Sequence, residues 1–435
     1  MKRTHALPRR RRSRWLPLLA LFLCLAGCIP PRSDERTTLL YAFWGSLATQ
    51  ALDEEIVRRF EAENPDIKVE MLPIGARYTD KLQAMFVGKV APDVMMIGLE
   101  SYTEWLNKGL LEPLDDVLPP DRRAQLMPVV REIFEREGHF YAIPIHAGGH
   151  VMFVNLDALE KAGLSRDDLA SWENILKIAP RLSSRHGDPQ ALTDYATMVP
   201  IPITMIWSFG GKLFDDLRHP RKVTVNTPET RAGLGFLRAL SQSRPVVPME
   251  MAGEQGGYTL FRDGKVALYC NGRWVTPELE GATRFRWDVV PFPKGGAGSV
   301  TRLYASGMGV WSGSRRKEAA KRFVKFYTSK RGIDTLLSGG RYTPVYRDWA
   351  YGDDFLKLRP PESMQVFSET MEKGRAEVPL NAPGSLEVDT LVRGRMEELI
   401  SQPDLPVETV LAGLEGDLEH WLQRRRRLGK DSQDR

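Results

Sequence analysis

An α/β fold built from alternating strands and helices is what three features of this sequence predict. Short apolar, β-prone runs alternate with longer segments whose apolar residues repeat at helical spacing. Stop residues, chiefly Asn-Pro and Gly, separate them. After an N-terminal leader, a body of about 400 residues can bury a large core and suggests two or three domains.

Residues 38–43 form the first strand-like run. Over 49–63, Leu52, Ile56, Val57 and Phe60 share one helical face, Glu54, Glu55, Arg58, Arg59 and Glu61 lie largely opposite, and Asn64-Pro65 ends the pattern. Ile67, Val69 and Met71 alternate with polar residues as a strand requires. A helix over 78–88 and an apolar strand over 93–97 complete the first unit. Strand–helix–strand–helix–strand implies right-handed crossovers and a largely parallel sheet. A short helix over 101–107 is closed by Gly109, and strands over 141–144 and 151–155 flank His146, Ala147, Gly148, Gly149 and His150. Helices are predicted over 156–162, 172–182, 227–241, 318–328, 332–337, 361–373, 388–400 and 406–425. Pro291, Pro293, Gly295, Gly296 and Gly298 mark a surface turn; no Lys-Ser/Thr follows, so it is not a phosphate loop.

The first 28 residues read as an address. Arg9, Arg10, Arg11, Arg12 and Arg14 precede an apolar stretch over 15–26, too short to span a bilayer, which needs roughly 20 residues. It ends in Leu25, Ala26, Gly27 and Cys28, which resembles a bacterial lipobox whose Cys28 thiol receives the lipid. Two acyl chains on Cys28 would anchor the chain durably, with 29–36 as a polar tether. The competing reading is an ordinary secretion signal in which Cys28 is incidental.

The net charge of +5 misleads, because residues 1–28 hold seven basic and no acidic side chains. The remainder carries 54 basic and 56 acidic residues, which gives no general argument for nucleic acid as a partner. Arg424, Arg425, Arg426 and Arg427 read as a solvated end before a tail over 426–435. Of the cysteines, Cys24 leaves with the leader and Cys28 is acylated, so Cys270 stands alone as a small buried hydrophobe.

Several fragments stand in a telling order. They are Tyr41-Ala-Phe-Trp-Gly, Glu55-Ile-Val-Arg-Arg-Phe-Glu-Ala-Glu-Asn-Pro, Ala91-Pro-Asp-Val-Met-Met-Ile and Trp105-Leu-Asn-Lys-Gly-Leu-Leu-Glu-Pro-Leu. Tyr141-Ala-Ile-Pro, Asn155-Leu-Asp-Ala-Leu, Trp207-Ser-Phe-Gly-Gly, Phe261-Arg-Asp-Gly-Lys-Val-Ala and Asn271-Gly-Arg-Trp follow, then Ser306-Gly-Met-Gly-Val and Gly340-Arg-Tyr-Thr-Pro. In this order, behind a lipobox, the chain resembles the extracellular solute-binding proteins of ABC importers, in the maltose-binding-protein-like branch that takes sugars and oligosaccharides. The resemblance implies a two-lobe periplasmic-binding-protein fold of type II, each lobe a mainly parallel sheet flanked by helices, with the solute in the cleft. Lobe one is expected at 37–146 with 300–345, and lobe two at 147–299 with 346–425. Hinges are expected at 145–149, where glycines would absorb backbone change, and near Val300 and Val345.

A sugar needs an aromatic surface for its C–H face and polar groups for its hydroxyls, since unmatched polar groups are costly when buried. The resemblance points to Trp44, Trp274 and Trp207 as platforms, against the competing reading of core packing. It points to Glu100, Asn271, Arg273, Arg341, Tyr342, Ser306 and Gly307 as hydroxyl partners, against that of surface charge or plain backbone. His146 and His150 depart from the family pattern. Two His four apart can share a metal only on a helix, and the glycines between them argue against one, so no metal is expected; His146 is expected as a solute contact, against the competing reading of a structural loop.

The resemblance further implies a monomer that hands its solute to ABC permease subunits, with no cofactor and no reaction of its own. Alternatives remain open: the same fold binding a polyamine, phosphodiester, peptide or metal chelate, or an exported glycan-acting enzyme with two cleft carboxylates. Neither HExxH nor Gly-x-Ser-x-Gly is present.

Overall fold

The computed structural model describes residues 36–433 apart from 46, 76, 218, 249–250, 252–253, 373–374 and 378–383. The predicted leader with Cys28, and the tether up to residue 35, lie outside the described residues.

The first unit forms as its periodicity predicts. β1 (Thr37–Phe43) lies between β2 (Ile67–Pro73) and β3 (Val94–Gly98) and runs parallel to both, with Leu39 opposite Val69 and Tyr41 opposite Val94. The crossover helix Leu47–Glu63 turns Ile56, Val57 and Phe60 inward. Phe60 meets Phe323 edge-on at 5.0 Å, which locks this helix to Lys317–Tyr327. Asn64 closes it by donating its amide to the Phe60 carbonyl at 2.9 Å. The second crossover helix is Tyr78–Val87.

A hairpin of β4 (Glu135–Arg136) and β5 (His139–Phe140) leads into β6 (Ala142–Gly149). After the single residue His150 the chain continues as β7 (Val151–Asn155), the centre of a second sheet between β8 (Leu268–Asn271) and β9 (Trp287–Val290). The long β10 (Val300–Val310) then returns to the first sheet, antiparallel to β3 on one edge and to β6 on the other. β11 (Arg375–Glu377) pairs parallel with its first residues.

One expectation needs correction here. The second sheet was expected to be mainly parallel, yet β7 is antiparallel to both β8 and β9. The cause is that β7 arrives from the other lobe, so it runs away from the cleft while its neighbours run towards it. In the stretch 145–149, where a hinge is expected, Gly148 and Gly149 are strand residues paired with Tyr304 and Leu303. Gly149 is there for space, since a Cβ would sit 2.5 Å from Thr301 Cγ2 and 2.9 Å from Thr370 Cγ2.

The segment 346–372, expected in lobe two, packs across both sheets. Helix Gln365–Glu372 contacts β6 and β7, and Phe367 meets Phe153 at 6.4 Å. Ser363 holds Asp288 of β9 through its backbone N–H at 3.0 Å and its hydroxyl at 2.7 Å. Lobe two has its own core, in which Trp172, Leu234, Met396 and Leu418 are buried. Its last helix, Val407–Gln433, runs past the tail predicted from 426. The arginine run 424–427 lies within this helix.

One buried carboxylate lies beneath the first sheet. Asp53 Oδ1 accepts the hydroxyls of Tyr41 and Tyr327, both at 2.8 Å, while its Oδ2 is buried without a partner among the described residues. Burial pushes the Asp53 carboxyl up from 3.8 to about 6, against the two tyrosine hydrogen bonds that lower it. A folded-state value above the unfolded one means that the native protein binds the extra proton between about pH 4 and pH 6. That contribution to stability is complete below about pH 4 and is lost as pH rises through about 6. We predict that the unfolding free energy of Asp53→Asn minus that of the wild type rises by about 3 kcal/mol between pH 4 and pH 7 in urea titrations. A difference that stays flat would show that this carboxyl titrates as it does in the unfolded chain.

Candidate ligand-binding cleft

In α/β sheets the crevice beyond the carboxyl ends of the strands is the natural binding place. A cleft of about 680 Å³ lies there, lined from both lobes. The end of β1 delivers Trp44, the end of β3 delivers Gly98, and the next helix, Leu99–Asn107, carries Glu100 in its first turn. β6 contributes His146, the end of β8 contributes Asn271 and the turn after it contributes Trp274. Arg341 and Tyr342 enter from the segment after helix Lys330–Ser338. Along β10, Arg302, Tyr304 and Ser306 alternate and so share the face towards the cleft.

Aromatic rings dominate one part of this surface. Trp274 lies edge-on to Tyr304 at 5.0 Å and tilted against His150 at 5.6 Å. His150 stacks on Tyr304 at 5.5 Å, and His146 meets Tyr342 edge-on at 5.3 Å. Trp44 is held edge-on by Tyr78 at 4.9 Å; the Tyr78 hydroxyl donates to the Met96 carbonyl at 2.8 Å.

The two histidines are neutral donors and acceptors. Burial pushes His146 down to about 4 and His150 down to about 3, with Arg273 and Arg302 respectively adding like charge. The Thr343 backbone N–H donates to His146 Nδ1 at 3.0 Å. The ring proton of neutral His146 therefore sits on Nε2, available to donate. His150 Nδ1 is buried with no partner among the described residues. No group of three His, Cys, Asp or Glu among the described residues could hold a metal ion.

Charge in the cleft is arranged around Arg302. Its guanidinium donates to Asp389 at 2.9 Å, reaches Glu100 at 3.6 Å and lies 5.2 Å from the Tyr304 ring centroid. Glu100 belongs to the first lobe. Asp389 sits on helix Ser385–Ser401, whose Val388, Val392 and Met396 enter the second core. Arg302 thus spans the two lobes from the strand that joins them. Arg341 donates to Glu278 at 2.6 Å.

Of the residues expected at the site, Trp44, Glu100, His146, Asn271, Trp274, Ser306, Arg341 and Tyr342 line the cleft, and three do not. Trp207 is 4% exposed in the second core, on the helix Ile203–Ser208. Arg273 is 2% exposed; it donates to the Tyr342 carbonyl and lies 5.0 Å from the Phe355 ring centroid. It holds the Tyr342 segment in place. Gly307 is sandwiched between β3 and β6, where a Cβ would stand 2.9 Å from the Ile143 carbonyl oxygen. Sequence reading missed Arg302 and Tyr304, although stepping back by two from Ser306 along a strand would have found both. It also missed Asp389 and Met396, on a helix distant in sequence that carries no motif.

A scan of family models matches residues 45–333 to the bacterial extracellular solute-binding proteins. The arabinooligosaccharide-binding protein of Bacillus subtilis is 24% identical over 353 residues, 76% of this chain and 79% of that protein. The maltotriose-binding protein of Pyrococcus abyssi is 24% identical over 300 residues, 67% of this chain and 63% of that one. Among solved structures, the ABC substrate-binding protein Lmo0181 of Listeria monocytogenes, in complex with cycloalternan, superposes with a TM-score of 0.77 at 23% identity. It covers 89% of this chain and 99% of its own. The GacH receptor of Streptomyces glaucescens superposes with a TM-score of 0.78 at 20% identity, covering 89% and 99%. With a family model matched over more than half its length and a two-lobed body around a solute-sized cleft, this chain belongs to the bacterial extracellular solute-binding proteins.

Proposed function

We propose that this protein captures a sugar or oligosaccharide outside the cytoplasm and delivers it to ABC permease subunits. The observation that carries the reading is the cleft surface where Trp44, Trp274 and Tyr304 are joined by the neutral His146, whose Nε2–H is free of the Nδ1 contact. Aromatic faces suit the C–H face of a sugar, and neutral donors suit its hydroxyls. The names of relatives, which bind arabinooligosaccharide, maltotriose and mannitol, support the same class of solute. The two cleft carboxylates, Glu100 and Asp389, are both held by Arg302, which favours recognition over glycoside hydrolysis, where one carboxyl must give up a proton. In this reading the protein works as a monomer without a cofactor, tethered through lipid on Cys28 and residues 29–36.

Thermal unfolding of the chain from residue 29, followed against sugars and other small solutes, tests the solute class. A ligand at a hundred times its dissociation constant stabilises the fold by about 2.7 kcal/mol. A shift with one carbohydrate series is expected; a shift with polyamines or phosphodiesters alone overturns the carbohydrate assignment. For the sugar so found, Trp44→Ala and Trp274→Ala should each weaken binding at least tenfold in calorimetry, a change of about 1.4 kcal/mol, with unfolding temperature little altered. Unchanged affinity in both would remove the platform assignment. Cys28→Ser should abolish incorporation of labelled palmitate and release the protein from the membrane fraction; continued labelling would place the anchor elsewhere.

A further inference from the structure

One stretch of the cleft wall has a composition that hydroxyl recognition does not explain. From Met198 to Ile203 every lining side chain is aliphatic, and two of the six residues are proline. Proline has no N–H to donate, and aliphatic side chains neither replace the water around a hydroxyl nor offer a π face to a sugar ring. This wall is firmly built: the Ile201 carbonyl accepts both the N–H of Thr204, at 3.0 Å, and its hydroxyl, at 2.6 Å, at the start of helix Ile203–Ser208. Val199 and Ile201 pack on the second core yet remain half-buried, with surface left towards the cleft.

The wall continues on helix Ser385–Ser401. Asp389, Val392, Arg393 and Met396 line the cleft at the spacing of one helical face. Asp389 is bound to Arg302, whereas Met396 lies seven residues further on, about 10 Å along the axis. Helix Ile203–Ser208 contacts this helix, which brings the two aliphatic stretches together.

We propose that the solute is an amphipathic glycoside, with its hydroxylated ring against Trp44, Trp274 and His146 and an apolar substituent against the half-buried Val199 and Ile201. The proposal rests on the carbohydrate reading given above. Matched methyl and n-hexyl glycosides of glucose, galactose and maltose test it by calorimetric titration. Burial of two or three methylenes predicts that the hexyl member of a bound pair binds roughly 15- to 60-fold more tightly than its methyl partner. Ile201→Asn should bring that ratio back towards one, and Val199→Asn is a second, independent change in the same wall. Equal affinities within a pair, or a ratio untouched by both variants, overturn the amphipathic solute while leaving the sugar reading standing. If no glycoside binds and glycerophosphocholine or spermidine does, both readings fall together.

Discussion

The rest of the molecule depends on one antiparallel pairing, that of β10 with β6. The two strands are at once part of the first sheet, the passage between lobes and the floor of the cleft. Their ladder sets Ser306 opposite His146 and Tyr304 opposite Gly148, so the cleft floor is fixed by backbone hydrogen bonds and not by flexible side chains. Because side chains alternate across a strand, Leu303 can enter the core while Arg302 and Tyr304 face the cleft. Binding surface and core are thus two faces of a single ladder.

The electrostatics follow from that placement. A floor strand enclosed on both sides is largely dry, so charge on it needs a partner and a titrating ring tends to be neutral. Arg302 finds carboxylates on both lobes, and both histidines are held far below the ordinary imidazole range. Asp53 pays for burial with a carboxyl raised to about 6, softened by two tyrosine hydroxyls. What remains for a solute is a surface of rings and neutral donors.

The first unit was legible because its signals are local. The helical stripe of Leu52, Ile56 and Phe60 and the alternation of Ile67, Val69 and Met71 each specify one element, and the crossover rule assembles them. The second lobe was harder, since the direction of β7 is set by a strand in the other lobe and not by anything within 151–155. Short helices carry too few turns to show a stripe, so no pattern marks the six-residue helix that buries Trp207. Gly149 also answers to two threonine methyls packed against it, a tertiary fact with no sequence signature. Of the site, strand and turn positions next to recognisable fragments were found, and those on helix Ser385–Ser401 were not.

The single residue between β6 and β7 restricts how such a protein can diversify. One residue inserted or deleted beside His150 would exchange the inward and outward faces of whichever strand absorbed it, moving core side chains into the cleft and cleft side chains into the core. The floor is therefore closed to changes of length, and at Gly149 and Gly307 to added side chains as well. New solute preferences must instead arise in the flanking walls, such as the run from Met198 to Ile203, where altering a side chain leaves the shared ladder in register.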